Sequence, residues 1–586
     1  MNKASSNYVL GINSAYHESA ATLLKDGKLV MAVEEERFTR VKHAKAPNVE
    51  NPHELPLCAI KACLTKAGIA LKDVAHIGYS LVPGLRLMNS KFKENVERGS
   101  WGSPEGENLF RQNLKKIPHM LEVMGFRGSF HWVEHDRCHA ASAFLVSPFQ
   151  EAAVVSLDGI GETASTGIYR GVGDWLELVK KIHYPNSIGF LWEKTCKFLG
   201  FSDTDACKVM GLAAYGDPAT LRREMDALAW AEQGGEFRVD GGRLRFRDDD
   251  FEGLESLFGV ARRQPGEGLS ILHRDLAAAL QELTNRIVAG IVEEACRRSD
   301  SRNLCMAGGV ALNCVANSHL LNQGIVDNIF IQPAANDAGT ALGAALLVWT
   351  QKMGQERAEM QEHAYWGPSF EEDDLVQALE NEELIYEKVE DIEEFVASRL
   401  AQGDVVGWFQ GAMEFGPRAL GNRSLLADPR NPAMRDILNV KVKHREIFRP
   451  FAPSVLEEEA KVWFDLDPGQ MPYEYMLMTA AIRPECIPFI PAVTHEDGTA
   501  RIHLVKQHVN PRYHKLISSF HSLTGVPLLL NTSFNDDEPI VCSPADAIET
   551  FKKTSIDYLV LGDFVVERCR QAGLAHVAQP MERELS

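Results

Sequence analysis

No apolar run in the 586-residue sequence approaches the roughly 18 residues of a membrane-spanning helix, so no transmembrane segment is expected. The opening "MNKASSNYVLGINS" shows no charged-then-apolar leader with a cleavage site, so export is not expected. None of the 11 cysteines pairs at C-x-x-C spacing, which fits reduced thiols better than disulfides or a zinc ribbon. Scattered thiols of this kind suit a reducing compartment, and the expected location is cytoplasmic. Low-complexity tracts and short-period repeats are also missing. Basic residues are outnumbered, 61 Lys and Arg against 81 Asp and Glu, for a formal charge of −20. Such a field disfavours non-specific nucleic-acid or anionic-lipid binding, so no nucleic-acid partner is expected. Oligomeric state is not legible from composition.

What is present is a recurring unit: an apolar β-type run, a small or acidic residue at its end, then a glycine-containing turn. It occurs at 8–24, 151–166, 303–317 and 329–346. The first run and "KLVMAVEEER" (28–37) read as a hairpin turning at Lys25-Asp26-Gly27. Such turns offer backbone N–H groups to phosphate, and four of them suggest an α/β, two-lobed nucleotide-binding fold. The character changes near 350–366, where "QKMGQERAEMQEH" is polar and reads as helical. The expected division is a first domain at 1–352, a linker at 353–370 and a second α/β domain at 371–586. In the second domain 372–402 reads as helical, with strands at 404–410, 525–530 and 556–561 and a loosely held tail after about 570.

"VEHDRCHAASAF" (133–144) sets His135 and His139 four residues apart, one turn on a helix. The zinc-protease pattern H-E-x-x-H is close, but Asp136 stands where its glutamate should be. A protease, a metal site for other chemistry and two surface histidines all remain open at this point. Asp158 closes a strong strand and Asp337 lies in "AANDAGTALG", so two imidazoles and two carboxylates are available for Fe, Zn or Mn. Both aspartates suit helix N-caps or turns equally well. His17, in "SAYHESAA", follows the first strand and suits either a general base or a loop cap. "AGGVALN" brings Gly308, Gly309 and Asn313 to a turn that can approach ribose or phosphate, and "KVMGLAAYG" joins Lys208 to Gly211.

A basic block stands out in this acidic chain. "MEFGPRALGNRS" and "NVKVKHREIFRPFAPS" gather Arg418, Arg423, Lys441, Lys443, Arg445 and Arg449, with Arg501 following in "HEDGTARIH". Lys443 and Arg445 alternate as on a strand and are expected to face one side. "NTSFND" adds Asn531, Ser533 and Asn535 after a buried-looking strand. A polyanion site fits these cations, and so do salt bridges with the surplus acids between domains.

At these residues the chain resembles the O-carbamoyltransferases of antibiotic tailoring and nodulation-factor synthesis. The resemblance runs nearly end to end, through "YHESAA", "EEERFTRVKH", "HDRCHAASAF", "SLDGIGE", "KVMGLAAYG", "GGVALN", "NDAGTALGAAL", "GPRALGNRS", "KHREIFRPFAPS", "HEDGTAR" and "NTSFN". It implies an actin-like ATPase-type domain, with ribonuclease H-like lobes related to the tRNA threonylcarbamoyl transferase, followed by a YrdC-like domain. It implies that Mg-ATP and carbamoyl phosphate give carbamoyl-adenylate and pyrophosphate in the second domain. The first domain then passes the carbamoyl group to a hydroxyl of a small-molecule or glycan acceptor. It places His135, His139, Asp158 and Asp337 on a metal, iron(II) foremost, and His17 on the transfer step. Arg418, Lys443, Arg449, Arg501, Asn531 and Ser533 fall on the adenylate-forming site, and Arg445 and Asn535 join them from the same blocks. Two positions depart from the pattern: Ala206-Cys207 stand where bulkier residues are expected, and His503 where an uncharged polar residue is expected. Rival readings are a threonylcarbamoyl tRNA-modifying enzyme and a non-catalytic actin-like ATPase module. The acceptor pocket is expected from loops such as 84–130, which carry no motif.

Overall fold

The computed structural model describes residues 7–86, 101–357, 359–466 and 471–571. The chain divides into two compact units, Met1–Gln361 and Glu362–Ser586.

The first unit contains the same five-stranded sheet twice. In the first copy Tyr8–Asn13 is central. Ala20–Lys25 and Lys28–Glu34 extend it antiparallel on one side, and Val74–Tyr79 and Ser129–Trp132 extend it parallel on the other. In the second copy Glu151–Leu157 is central, with Ala164–Val172 and Trp175–His183 antiparallel on one side. Asn303–Ala307 and Asn328–Ile331 lie parallel on the other side. Two lobes of identical strand order and direction are the actin-like, ribonuclease H-type architecture. The central strands read as near-continuous apolar runs because both sheet faces are covered. Six of the seven residues of Glu151–Leu157 are buried.

The hairpin turn falls at Asp26-Gly27, both in the left-handed region that a two-residue turn requires. The helix Ala338–Leu347 is buried along its whole length, which its alanine and glycine content permits. It crosses the helix His135–Phe144 at Gly343, where a Cβ would stand 1.8 Å from the Cys138 carbonyl oxygen. The small residue therefore brings together the two helices that begin at His135 and at Asp337.

The second unit carries an eight-stranded mixed sheet. Val406–Phe409 lies at its middle, parallel to Tyr558–Leu561 and antiparallel to Arg423–Ala427. Leu528–Ser533 and Ala452–Leu456 follow in order.

Three local expectations are corrected. The stretch expected to be helical after 350 leaves helix at Gly354, which has a left-handed φ of 67°. Arg357 then ties the chain down by donating to the carbonyls of Phe144, Ser147 and Phe149. The region 372–402 is two helices, Glu372–Asn381 and Ile392–Ala401, parted at Glu383 by a φ of 51°. Lys443 and Arg445 do not alternate on a strand: they follow the helix Met434–Lys441, and His444 between them turns the chain with a φ of 44°. The tail expected after about 570 lies outside the described residues from 572 on, as does part of the 84–130 loop, 87–100.

Candidate functional site

Among the described residues, His135, His139, Asp158 and Asp337 form the cluster whose ligand atoms all lie within 4.8 Å of one another. Each arrives from a different local cause. His135 and His139 occupy successive turns at the start of their helix, both fully buried. Asp158 follows the central strand of the second lobe, its N–H donating to the Ser165 carbonyl at 2.9 Å. Its Oδ1 accepts from the Gly309 N–H at 3.3 Å, which leaves Oδ2 toward the imidazoles. Asp337 stands at the N-cap of its helix, yet its carboxylate makes no capping bond and faces the histidines instead.

His135 Nε2 lies 3.4 Å from Asp158 Oδ2 and 3.3 Å from Asp337 Oδ1. His139 Nε2 lies 3.7 and 3.5 Å from the same two atoms, and 3.2 Å from His135 Nε2. Bonds of about 2.1 Å arranged tetrahedrally give donor–donor edges of about 3.4 Å, so the spacing suits a first-row divalent cation. The tautomer agrees. His135 Nδ1 donates to the Ser80 carbonyl at 3.1 Å, so neutral His135 presents a lone pair at Nε2, as a ligand must. Asp337 is buried and Asp158 largely so, and two carboxylates in such surroundings call for positive charge near them. A divalent cation held between the four groups would supply two such charges at once.

The titration shifts follow from the four groups facing one another. Burial alone would lower His135, but Asp337 and Asp158 overcome it and hold its value well above 6.5. His139 is raised in the same way, against burial, by its bonds to the two aspartates. Burial would raise Asp158 and Asp337, and the facing histidines hold both below their ordinary value.

Asp136 points elsewhere. It accepts from the Tyr169 hydroxyl at 2.5 Å and from Lys181 Nζ at 3.0 Å. The acid between the two histidines is therefore a buried structural group, and the protease reading loses its base.

His17 lies in the turn between the first two strands, its Nδ1 3.9 Å from Asp337 Oδ2 and 3.7 Å from Glu18 Oε2. Burial lowers its basicity, and Asp337 and Glu18 more than restore it, to about 10. A cation bound by Asp337 would cancel part of that pull and return His17 toward a neutral base.

Of the expected nucleotide-binding residues, Gly309 reaches Asp158 directly. Gly308, at φ 96°, packs so closely that a Cβ would meet the Leu157 carbonyl oxygen at 2.1 Å. Asn313 is committed otherwise: its Oδ1 caps the Ala316 N–H, and its amide exchanges bonds with Gln281. Lys208, on the helix Ala206–Ala213 with Gly211, pairs with Asp205 at 3.2 Å.

In the second unit, Lys443 Nζ donates to Ser533 Oγ at 3.2 Å and to the Asn535 carbonyl and side-chain oxygens at 2.7 Å. Burial, then Arg445 and Arg449, lower its basicity well below the usual lysine value. Arg445 lies against the Phe451 ring, 4.5 Å from its centroid. Arg418 Nε and Asn531 Oδ1 are buried without a hydrogen-bond partner. Asn531 Nδ2 donates to the Ala419 carbonyl beside Arg418 at 3.1 Å. Arg501, on the strand Thr499–Arg501, pairs in register with Thr479. Arg423 leaves the group: fully buried, it donates to the carbonyls of Gln410, Asn422, Pro368 and Gly411. His503 behaves as an uncharged polar residue. Burial drops it to about 3, and its Nδ1 lies 2.7 Å from Ser454 Oγ.

Two family models match this chain, the carbamoyltransferase N-terminus over residues 8–346 and the carbamoyltransferase C-terminus over residues 397–568. The chain belongs to the carbamoyltransferase family. It is an enzyme of carbamoyl transfer. An uncharacterized protein of Synechocystis is 39% identical over 98% of both chains. The nodulation protein NolNO of Sinorhizobium fredii is 38% identical over 95% of this chain and 80% of its own. The 3'-hydroxymethylcephem-O-carbamoyltransferase of Amycolatopsis lactamdurans is 31% identical over 62% of this chain and 65% of its own. Likeness to solved structures is low. HypF of T. kodakarensis is 14% identical at a TM-score of 0.33, over 58% of this chain and 47% of that one. The fold assignment therefore rests on strand order and direction.

Sequence reading passed over several groups that surround the four-residue cluster. Glu18, at φ 52°, accepts from the Asp337 N–H at 3.0 Å and approaches His43 Nδ1 at 3.4 Å. Glu162 accepts from the N–H groups of Val82 and His135, and burial with nearby Asp136 pushes it to about 7. Glu193 rises to about 8 through burial, against the pull of His17. Glu18 and Glu162 lie inside the motifs "YHESAA" and "SLDGIGE", but neither has a spacing that marks it. No helix among the described residues is long and apolar enough to cross a membrane.

Proposed function

We propose that this carbamoyltransferase divides its reaction between the two units, within the boundaries 1–352 and 371–586 read from the sequence. The second, read as YrdC-like, lets water cleave carbamoyl phosphate to carbamate and phosphate; a carbamate oxygen then attacks the α-phosphorus of ATP, giving carbamoyl-adenylate as pyrophosphate leaves. The first transfers the carbamoyl group to the oxygen of an alcohol, with AMP leaving. The observation that carries the reading is the four-donor cluster with His17 beside it.

A metal held by His135, His139, Asp158 and Asp337 would supply Lewis acidity toward the carbamoyl carbonyl. Two nitrogen and two oxygen donors suit iron(II), with zinc or manganese as alternatives. His17, whose basicity a cation on Asp337 would lower, would take the proton of the acceptor hydroxyl in its neutral form as oxygen attacks. Gly308 and Gly309 bring bare backbone to the turn beside Asp158, where a nucleotide phosphate could approach. Lys443, with Arg418, Arg445, Arg449 and Arg501, supplies the cations for triphosphate and carbamoyl phosphate, while Asn531, Ser533 and Asn535 offer polar contacts. The acceptor is a small molecule with a free hydroxyl, the class named by the cephem-modifying relative.

The test is incubation with ATP, carbamoyl phosphate and iron(II), assayed for pyrophosphate and carbamoyl-adenylate. Absence of both from folded, metal-loaded protein refutes the reading. His17→Asn should keep pyrophosphate release and lose transfer by about 10²–10⁴-fold. Loss of both activities would refute the division between units.

A further inference from the structure

Two fully buried polar side chains at the carboxyl end of the first sheet join parts of the site that are distant in sequence. Asn13 ends the strand Tyr8–Asn13, and Ser80 follows the neighbouring parallel strand Val74–Tyr79. Neither has any exposed surface. Asn13 Nδ2 donates to the His17 carbonyl at 3.2 Å and to the Glu18 carbonyl at 3.1 Å. Its Oδ1 accepts from Ser80 Oγ at 3.0 Å. The Ser80 carbonyl in turn accepts from His135 Nδ1 at 3.1 Å, and the Ser80 N–H is fixed on the Ile12 carbonyl at 3.1 Å.

We propose that Asn13 is a positioning residue that holds the His17 turn in register with the metal ligand His135 through Ser80. The inference rests on the reading of His17 as the transfer base. An amide suits this place because both N–H bonds and the oxygen are needed at once. An aspartate of the same shape could donate to neither carbonyl. The turn also needs the restraint, because Glu18 sits in the left-handed region at φ 52°, a conformation that relaxes unless its surroundings fix it. Relaxation there would move His17 relative to Asp337, from which it now stands 3.9 Å.

The experiment compares Asn13→Ala, Ser80→Ala and the double variant. Ser80→Ala keeps the carbonyl that anchors His135 and removes only the hydroxyl link, so it carries the test if Asn13→Ala does not fold. With 3'-hydroxymethylcephem as the acceptor probe, kcat for transfer should fall about 30–100-fold in Asn13→Ala. In Ser80→Ala the fall should be about 5–10-fold, with KM for the probe within about threefold of wild type. The double variant should be no worse than Asn13→Ala within about twofold, as for two members of one link. Pyrophosphate release should be unchanged. One equivalent of cobalt(II) should still bind, with a shifted visible absorption, since the shell behind His135 has changed. A folded Asn13→Ala, or in its absence Ser80→Ala, with kcat within about twofold of wild type overturns the proposal. So do additive losses in the double variant, or a loss confined to KM. If wild-type protein fails to transfer to the probe, the cobalt spectrum decides. A shift in Asn13→Ala or Ser80→Ala upholds the link while the transfer reading falls, and an unshifted spectrum overturns the link.

Discussion

Gly343→Ala tests whether helix packing sets the metal geometry. The new Cβ would stand 1.8 Å from the Cys138 carbonyl oxygen, where a carbon–oxygen contact needs about 3.3 Å. The helices must therefore part by about 1.5 Å, or bend. Gly343 shares a helix with Asp337, and Cys138 immediately precedes His139. Metal–ligand distances tolerate only about 0.2 Å, so a displacement of that size removes Asp337 from the ligand set. Overpacking should also cost about 1–3 kcal/mol of stability. The assay is metal content after dialysis, cobalt(II) affinity by titration, and thermal melting. The expected result is a melting point lower by several degrees and cobalt affinity lower by about 100-fold or more. Gly290→Ala is the control. It lies inside the helix Ile271–Ser299 with nothing within 4 Å of its added Cβ, and should be neutral or stabilising by about 0.5–1 kcal/mol. Wild-type metal affinity and melting in Gly343→Ala would refute the packing argument.

Metal binding should release protons, because the facing aspartates raise the pKa values of His135 and His139, and a cation must compete with protons for their Nε2 lone pairs. Apparent affinity should therefore rise with pH until those values are passed, and calorimetry in buffers of different ionisation enthalpy would show no dependence if the reasoning is wrong. Without metal, the histidine contribution to stability is complete below about pH 6.5 and lost as pH climbs through the raised values. The aspartate contribution is present above about pH 3.9 and fades as pH falls through the depressed values, so metal-free melting should peak between these limits. Asp136→Asn should keep full metal content while Asp158→Asn loses it; equal loss in both would mean that Asp136 belongs to the site. Lys443→Ala should lower pyrophosphate release by about 100-fold and leave cobalt binding untouched, and retained release would remove Lys443 from the adenylate chemistry. Protein stripped of metal by a chelator, then freed of the chelator and supplied with magnesium for ATP, should fail in transfer while pyrophosphate release continues, measured on one sample.

The repeated strand-and-turn pattern was legible because each central strand is buried on both faces and must be apolar throughout. The histidine pair was legible because helical periodicity is a local rule, and four residues mark one turn wherever the helix lies. The second half of the cluster was not. Asp158 and Asp337 satisfied capping and turn rules as well as ligand rules, and nothing local separates a carboxylate that caps from one that faces an imidazole. Arg423 shows the converse. It reads like its basic neighbours, yet its guanidinium is consumed by backbone carbonyls. The alternation of Lys443 and Arg445 failed at His444, whose left-handed backbone no neighbouring residue announces.

By itself, then, the sequence determined two similar lobes and the order of the motifs, both of which follow from burial and period along the chain. Only the tertiary structure decided which polar groups meet. It joined His135 and His139 to an aspartate 19 residues past His139 and another nearly 200 residues past it, and it turned Asp136 away. It also brought Glu18 to the Asp337 N–H, the Ser80 carbonyl to His135, and Asn13 to the Ser80 hydroxyl. Such contacts depend on sheet order and on the close helix crossing at Gly343, and neither is written in any one stretch of the chain.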